Sequence, residues 1–320
     1  MNSSLLKLKA LKISKKAVGI ILRIIFLSGF CFVILYPVIL MISRGFMSRV
    51  DLMDNEVILI FKNFTLENFK VASMLLDYGT SFKNTIIITL GCTLFSLIAS
   101  LLAGYAFGRY NFKLKPVLFG ILLFTIIVPP QLIMMPLYMK FKSFDILGII
   151  ELINGSPANL LNSFAPFFIL SITGMGIKSG IFIYLFRQFF AGMPREIEEA
   201  AMVDGAGSFR IFATLMVPNA KTIIVMVILF SIVWQYNDVV YSQLFLTTQK
   251  VLSMQYVNLE RFTQEVLEFL EMANGDIMVG MYVPLVKSAG ALIILAPIII
   301  MFLVAQKFFV ESIERSGIVG

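Results

Sequence analysis

The sequence contains no histidine, which removes the commonest general base, metal ligand and pH switch. Cysteine is nearly absent as well. Cys31 and Cys92 both lie in apolar runs and are too few for a disulfide framework, so they read as reduced packing residues. Without histidine, and with cysteine isolated, the usual ligands assemble no metal site. Charge is scarce: 14% of residues are Asp, Glu, Lys or Arg, against roughly 25% in soluble domains. There is no G-x-x-x-x-G-K-[ST] loop, so ATP phosphates are not cradled by that means. Internal repeats, low-complexity tracts and a separate soluble domain are also missing. These shortages exclude an ordinary cytosolic enzyme, a disordered chain and a disulfide scaffold.

What the 320 residues do contain is apolar surface. Fifty-nine per cent are hydrophobic and the mean hydropathy is +0.91, the displacement a lipid solvent demands. The net charge is +7, but the basic residues collect at particular loops. Membrane orientation explains them better than nucleic acid does, and no nucleic-acid partner is expected. The 18 methionines are read as gap-fillers in helical cores.

A helix crossing the hydrocarbon core needs about 20 mostly apolar residues. Six windows qualify: about 17–42, 84–107, 116–138, 164–189, 223–245 and 284–308. The first is too long for a signal-peptide core and is expected to stay as an anchor. The fourth is interrupted by Gly174, Gly176 and Gly180, with Lys178 among them. Such breaks survive where protein or a wet cavity satisfies the loosened backbone.

Lysine and arginine set orientation. The N-terminal arm carries Lys7, Lys9, Lys12, Lys15 and Lys16 with no acid, and the 2–3 loop has Arg109, Lys113 and Lys115, again with none. The 1–2 loop is balanced, and the 5–6 loop sets Lys250 and Arg261 against Glu260, Glu265, Glu268, Glu271 and Asp276. Both termini are therefore expected in the cytoplasm, with external loops at about 43–83 and 246–283. Helical spacing predicts a short external helix over 260–273, with Phe262, Val266, Phe269 and Leu270 on one side; it serves either as a partner surface or as a cap.

The cytoplasmic 4–5 loop, 194–218, does not read as a loop. Pro194 suits a first helical position, with Glu196, Glu198 and Glu199 near the positive dipole end. Ala200 and Ala201 continue a helix with almost no bulk. Asp204-Gly205 signals a turn. Ser208 suits the cap of a second helix whose apolar side is Phe209, Phe212 and Leu215 or Met216, stopped by Pro218. Spacing alone leaves two readings open. The hairpin lies on the bilayer or beneath the spans, or it plugs into a groove on a soluble partner.

Glu199-Ala200-Ala201, then Gly205, Leu215, Val217 and Pro218, closely resemble the EAA loop of importer permeases of the ATP-binding-cassette class. That pattern is E-A-A, three residues, G, nine residues, I, one residue, L-P; every spacing is kept, with Leu215 for Ile and Val217 for Leu. Asp204 looks like the carbohydrate-uptake branch. Asn84-Thr85, the run Ala103–Arg109, Pro129-Pro130-Gln131, Phe186–Phe190, Gln306–Val310 and the Gly317–Gly320 tail are similar to the second subunit of maltose-type permease pairs. The 5–6 loop is longer than that group usually has, and the region of Lys178 has no residue-by-residue match.

The resemblance implies an all-α polytopic membrane protein of six transmembrane helices, a single permease domain over 1–320 in the plasma (inner) membrane. It implies a non-enzymatic, pore-forming subunit, with no cofactor on this chain. ATP and Mg would sit on two cytoplasmic ATPase subunits, beside a second permease subunit (a heterodimer) and an extracytoplasmic solute-binding protein. The hairpin would sit in an ATPase cleft: Glu199 in polar contact, Ala200 and Ala201 permitting close approach, Gly205 setting the elbow. Asp204, Phe209, Phe212, Leu215 and Pro218 complete the coupling set.

In the fifth window, Trp234, Tyr236, Asn237 and Asp238 combine aromatic faces with polar acceptors, as a sugar requires. A carboxylate deep in lipid costs about 2.5–3.5 kcal/mol, so Asp238 should face the bundle or water. Three roles stand open for it: contact with the substrate path, an interfacial anchor, or a bridge to Lys178 or Lys287. Glycine neighbours favour a cavity-lining place for Lys178. A rival of another class, an ion-coupled secondary transporter or channel using Lys178 and Asp238, needs inverted repeats that the sequence does not show. A membrane scaffold without transport leaves the broken fourth window unexplained.

Overall fold

The structure, a computed structural model, describes residues 2–54, 56–57, 59–246, 251, 260–274 and 282–316; of these, 2–17, 260–261, 270–274 and 308–316 are described by backbone alone. The Gly317–Gly320 tail, Lys250 and Asp276 lie outside the described residues. Among those residues the fold is all helix, apart from isolated bridges at Met47–Phe64 and Phe144–Ala158.

In chain order the helices are α1 (Asn2–Phe46), α2 (Arg49–Leu52), α3 (Glu67–Leu75), α4 (Tyr78–Arg109), α5 (Lys115–Ile127), α6 (Met134–Lys142) and α7 (Ile149–Asn154). They continue with α8 (Ala165–Ile172), α9 (Ser179–Gly192), α10 (Glu196–Val203) and α11 (Ser208–Ile211). A π-helical stretch at Phe212–Met216 leads into α12 (Val217–Asn219) and α13 (Lys221–Tyr236). The last are α14 (Val240–Phe245), α15 (Glu260–Asn274) and α16 (Val283–Ser316). α15 covers the segment whose spacing predicts a helix, and buries Phe262 and Val266.

Three described helices are long and apolar enough to cross a membrane: Val18–Phe46, Tyr78–Arg109 and Val283–Lys307. Two bent pairs, Lys115–Ile127 with Pro130–Lys142 (105°) and Ser208–Asn219 with Lys221–Tyr236 (73°), raise the number to five. The windows 116–138, 164–189 and 223–245 are therefore not continuous rods. Pro129-Pro130 breaks the first, because proline lacks the N–H and holds its neighbour extended; Val128 has ψ 120°. In the second, Gly174 at φ +72° ends α8 with Met175 N–H donating to Leu170 O (2.8 Å) and Gly174 N–H to Ser171 O (3.2 Å). These are the two bonds of a Schellman stop. Lys178 stands at the start of α9 with φ +57°, exposed. In the third, α13 ends at Tyr236 and α14 starts afresh at Val240.

The chain divides into two compact units. The first, 1–73 with 263–293, brings the end of α1 against α16: a Cβ on Gly45 would lie 2.8 Å from Leu292 Cδ1. Phe46 meets the rings of Phe61, Phe64 and Phe69 at 4.6–6.4 Å. Below this cluster the buried Asp51 carboxylate accepts from Lys62 N–H (2.9 Å), Asn63 N–H (2.9 Å) and Asn63 Nδ2 (2.6 Å). Further back along α1, residues 18–39 are all exposed.

The second unit, 74–262 with 294–320, is built on α4. Its outer face carries Leu90, Leu94, Ile98 and Leu102, all exposed, while Ser81, Thr85, Thr89, Thr93, Ser96 and Ser100 form its buried face. Polar side chains inward and leucine outward is the polarity of a helix solvated by lipid, where small hydroxyl residues allow close packing. Gly104 and Gly108 take this furthest. A Cβ on Gly104 would meet Phe186 Cβ at 2.3 Å, and one on Gly108 would meet Phe190 Cβ at 2.9 Å. The G-x-x-x-G pair thus lets α9 lie directly on the α4 backbone.

Two outcomes follow. Gly104→Val should lower stability by about 1–3 kcal/mol through overpacking, read as a lower thermal midpoint of the detergent-solubilised protein, whereas Gly120→Ala, with open space around it, should not. For Asp51, burial alone pushes the carboxyl up, but the donors of Asn63, Lys62 and Ser48 outweigh it and hold the group below its ordinary 3.8. A folded value below the unfolded one stabilises above the unfolded pKa and fades as pH falls through the folded value. Protection of the 59–63 amides from hydrogen exchange, relative to their intrinsic rates, should therefore fall as pH drops below about 3.8, and Asp51→Asn should show that loss of protection already at pH 7.

Candidate functional site

The segment between α9 and α13 is a two-armed hairpin. α10 begins at Glu196 with Arg195 as its N-cap, so Pro194 lies just outside the helix rather than at its first position. Its end closes on Gly205 at φ +80°: Gly205 N–H donates to Met202 O (3.0 Å) and Ala206 N–H to Ala201 O (3.0 Å), with Asp204 as C-cap. Both are Schellman bonds, and glycine takes the left-handed position at no steric cost. The second arm is capped by Gly207, not Ser208, whose hydroxyl makes no cap bond. Pro218 lies one residue before the end of that arm: the helical run Ser208–Asn219 closes at Ala220, where the chain bends by 73° into α13.

The π-helical stretch explains the second arm's faces. Packing five residues into a wider turn shifts the register, so Ile211 and Met216 are fully buried, while Phe212 and Leu215 are half-buried on the same core. Phe209 is 81% exposed and not part of that apolar side. The core they join consists of Tyr105, Phe182, Phe186, Phe190, Ala220 and Val227, with Ala201 at its edge. Val203 at 88% exposure, Met202, Ile197 and Phe209 leave the hairpin tip apolar and bare. Glu199, Ala200 and Asp204 are exposed beside them.

What fastens the hairpin is a buried ion pair. Arg109, the last residue of α4, donates from Nε to Glu198 Oε2 (2.8 Å), and its Nη2 lies 2.8 Å from the same oxygen. Nη1 donates to Met193 O (2.8 Å) and Phe190 O (3.2 Å), and Nη2 to Pro194 O (3.2 Å). Tyr105, one turn earlier, donates to Glu198 Oε1 (3.1 Å) and sets its ring 4.9 Å from Phe212. The two charged side chains are 4% and 12% exposed. Removing one partner of such a pair strands the other and costs about 3–5 kcal/mol. Between the arms a cleft of about 240 Å³ is lined by Arg195, Glu198, Glu199 and Ser208 together with Tyr105 and Arg109.

Tyr105, Arg109 and Glu198 were the residues sequence reasoning passed over. Arg109 counts there as an orienting loop charge, whereas here it is enclosed. The signal available was Gly104-x-x-x-Gly108-Arg109: an arginine directly behind a close-approach pair has the neighbouring helix end within reach.

The aromatic–polar group of the fifth window is brought together only in part. Trp234 stacks between Phe182 and Phe230, each 5.4 Å away. The buried Tyr236 donates to Ile294 O (2.7 Å), and Asn237 donates to Val233 O (2.9 Å). Asp238, one residue before the N-cap Val239, accepts from Tyr241 N–H (3.2 Å), Ser242 N–H (2.8 Å) and Ser242 Oγ (3.0 Å), so its carboxylate is engaged by the first turn of α14. Neither Lys178 nor Lys287 pairs with Asp238 among the described ion pairs.

Comparison with known proteins places these features. A family model described as binding-protein-dependent transport system inner membrane component matches residues 96–315. The melibiose/raffinose/stachyose import permease protein MelC of Bacillus subtilis is 30% identical over 260 residues, covering 81% of this chain and 82% of its own. The arabinooligosaccharides transport system permease protein AraQ of Halalkalibacterium halodurans is 24% identical over 292 residues, covering 90% and 92%. A solved bacterial ABC transporter involved in import of the acidic polysaccharide alginate shares the fold, with TM-score 0.66 and 21% identity over 92% of this chain and 98% of that one.

The elbow makes its own prediction. A Cβ at Gly205 meets open space, so any penalty there is purely conformational. Gly205→Asn should be tolerated, and Gly205→Val should cost about 1–3 kcal/mol. Limited proteolysis at the hairpin, compared between the two variants, reads the difference.

Proposed function

The chain belongs to the inner membrane components of binding-protein-dependent transport systems, and from that premise we propose how its parts divide the work of import. It is a multi-pass permease of the plasma membrane and a subunit of an ABC importer, without nucleotide hydrolysis of its own. In the proposed arrangement six spans cross the bilayer, three of them bent or broken, with both termini in the cytoplasm. The 194–218 hairpin hangs on the cytoplasmic side and seats in a cleft of an ATPase subunit. ATP and Mg belong to two such subunits. The cargo is an oligosaccharide, delivered by an extracytoplasmic solute-binding protein.

The observation that carries the coupling role is the hairpin's division of faces. One side is locked on Phe186, Phe190 and Tyr105, while Phe209 and Val203 stand at 81% and 88% exposure. A loop facing water has no use for such a tip; a helix seated in a protein groove does. The small side chains of Ala200 and Ala201 let a partner approach closely, and Glu199 supplies the polar contact. The bare surface of α1 supports a second permease subunit alongside, since every residue from 18 to 39 is exposed. The oligosaccharide cargo is supported by the relatives, which are permeases for import of melibiose, raffinose and stachyose, for transport of arabinooligosaccharides and, in MalD of Streptococcus pneumoniae, for transport of maltodextrin. Nothing favours an ion-coupled carrier, since Asp238 is engaged by the first turn of α14.

Phe209→Ala removes an exposed side chain and should leave folding intact. It should weaken retention of the ATPase subunits by about 2 kcal/mol, as expected for an aromatic anchor, measured by co-purification from membranes. Uptake of a labelled maltodextrin into proteoliposomes should require ATP inside and the binding protein outside. Uptake driven by an ion gradient with no ATPase present would overturn the reading.

A further inference from the structure

The hairpin is joined by the chain to α9 on one side and α13 on the other, but not to α4. Even so, its firmest attachment is to α4. The Arg109 guanidinium makes four hydrogen bonds, one to Glu198 and three to the carbonyls of Phe190, Met193 and Pro194, and its Nη2 also lies 2.8 Å from Glu198 Oε2. Those carbonyls lie at the end of α9 and in the link beyond it, where the helix offers no internal donors. One planar group therefore ties together three bodies: the end of α4, the end of α9 and the first turn of α10. A lysine ammonium, with three donors on a single point, cannot reproduce that fork.

The second arm is attached as well. Tyr105 donates to the other Glu198 oxygen, and its ring meets Phe212 at 4.9 Å and Phe190 at 5.3 Å. Tilting either arm thus breaks buried bonds or moves α4. We propose that Arg109 is the positioning residue that makes the hairpin one rigid body with α4, so that a displacement of the hairpin is delivered to the second span directly rather than only through α9 and α13. This rests on the coupling role proposed above. It adds a mechanical path: hairpin to Arg109, Arg109 to α4, and α4 to the buried face of Ser81, Thr85, Thr89, Thr93, Ser96 and Ser100.

The test uses the full importer in proteoliposomes and reads cargo transported per ATP hydrolysed, with maltodextrin as the probe. Arg109→Lys should lower that ratio about tenfold and Tyr105→Phe about threefold, the range expected for residues that carry coupling without touching either ligand. A merely structural role would reduce the amount of assembled complex and its thermal midpoint but leave the ratio unchanged. The permease alone gives a second readout. Nitroxides on Lys113→Cys and Val203→Cys, in a background without Cys31 and Cys92, should show a narrow distance distribution that broadens in Arg109→Lys and not in the Lys115→Ala control. An unchanged ratio, or an unbroadened distribution, overturns the proposal. Failure of the coupling role itself is distinguishable, because the wild-type chain would then retain no ATPase while the nitroxide readout still reports on Arg109.

Discussion

The contact on which this molecule depends is the meeting of two backbones where Gly104 and Gly108 of α4 face α9. A single methyl group at either position would collide with Phe186 or Phe190. Because the helices lie this close, the guanidinium of the next residue, Arg109, falls among the last carbonyls of α9. The same approach brings Tyr105 within reach of both Glu198 and Phe212. Were the axes separated by an ordinary side chain, neither contact would span the gap, and the hairpin would be held by chain continuity alone.

The polarity of α4 follows from its solvent. In water a helix hides leucine and shows serine; here the exposed positions include Leu90, Leu94 and Leu102, and most of the buried ones are hydroxyl residues, interspersed with Ile88 and Cys92. Between helices in lipid, apolar surface gains little by being covered, so small residues and dispersion contacts decide the seam. The buried ion pair at its end is costly in the same terms. It persists because all three nitrogens of Arg109 find acceptors, and a well-bonded polar joint fixes one geometry where an apolar contact would tolerate several.

Breaks in the helices are as purposeful as the seam. Pro129-Pro130 and Gly174 each stop a helix in mid-window, and Asp238 receives the first turn of the helix that restarts after Tyr236. Among membrane proteins such interruptions persist where neighbouring protein shelters them.

Much of this was legible beforehand. The apolar windows, the glycine elbow at Gly205, the helix at 260–274 and the family pattern from Glu199 to Pro218 are local matters, written in periodicity and spacing, and local interactions suffice to fix them. The faces were not. Phe209 turns outward while Ile211 two residues on is fully buried, and a π-helical stretch, which no periodicity announces, then sets which of Phe212–Met216 join the core. Asp238 spends its oxygens on Ser242 and Tyr241, a choice fixed by where α13 happens to end. Arg109 and Glu198 lie 89 positions apart, and nothing in either stretch names the other. Their pairing was decided only when two glycines let α4 and α9 touch, since a buried charge selects its partner by distance in space, a quantity the linear order of residues does not contain.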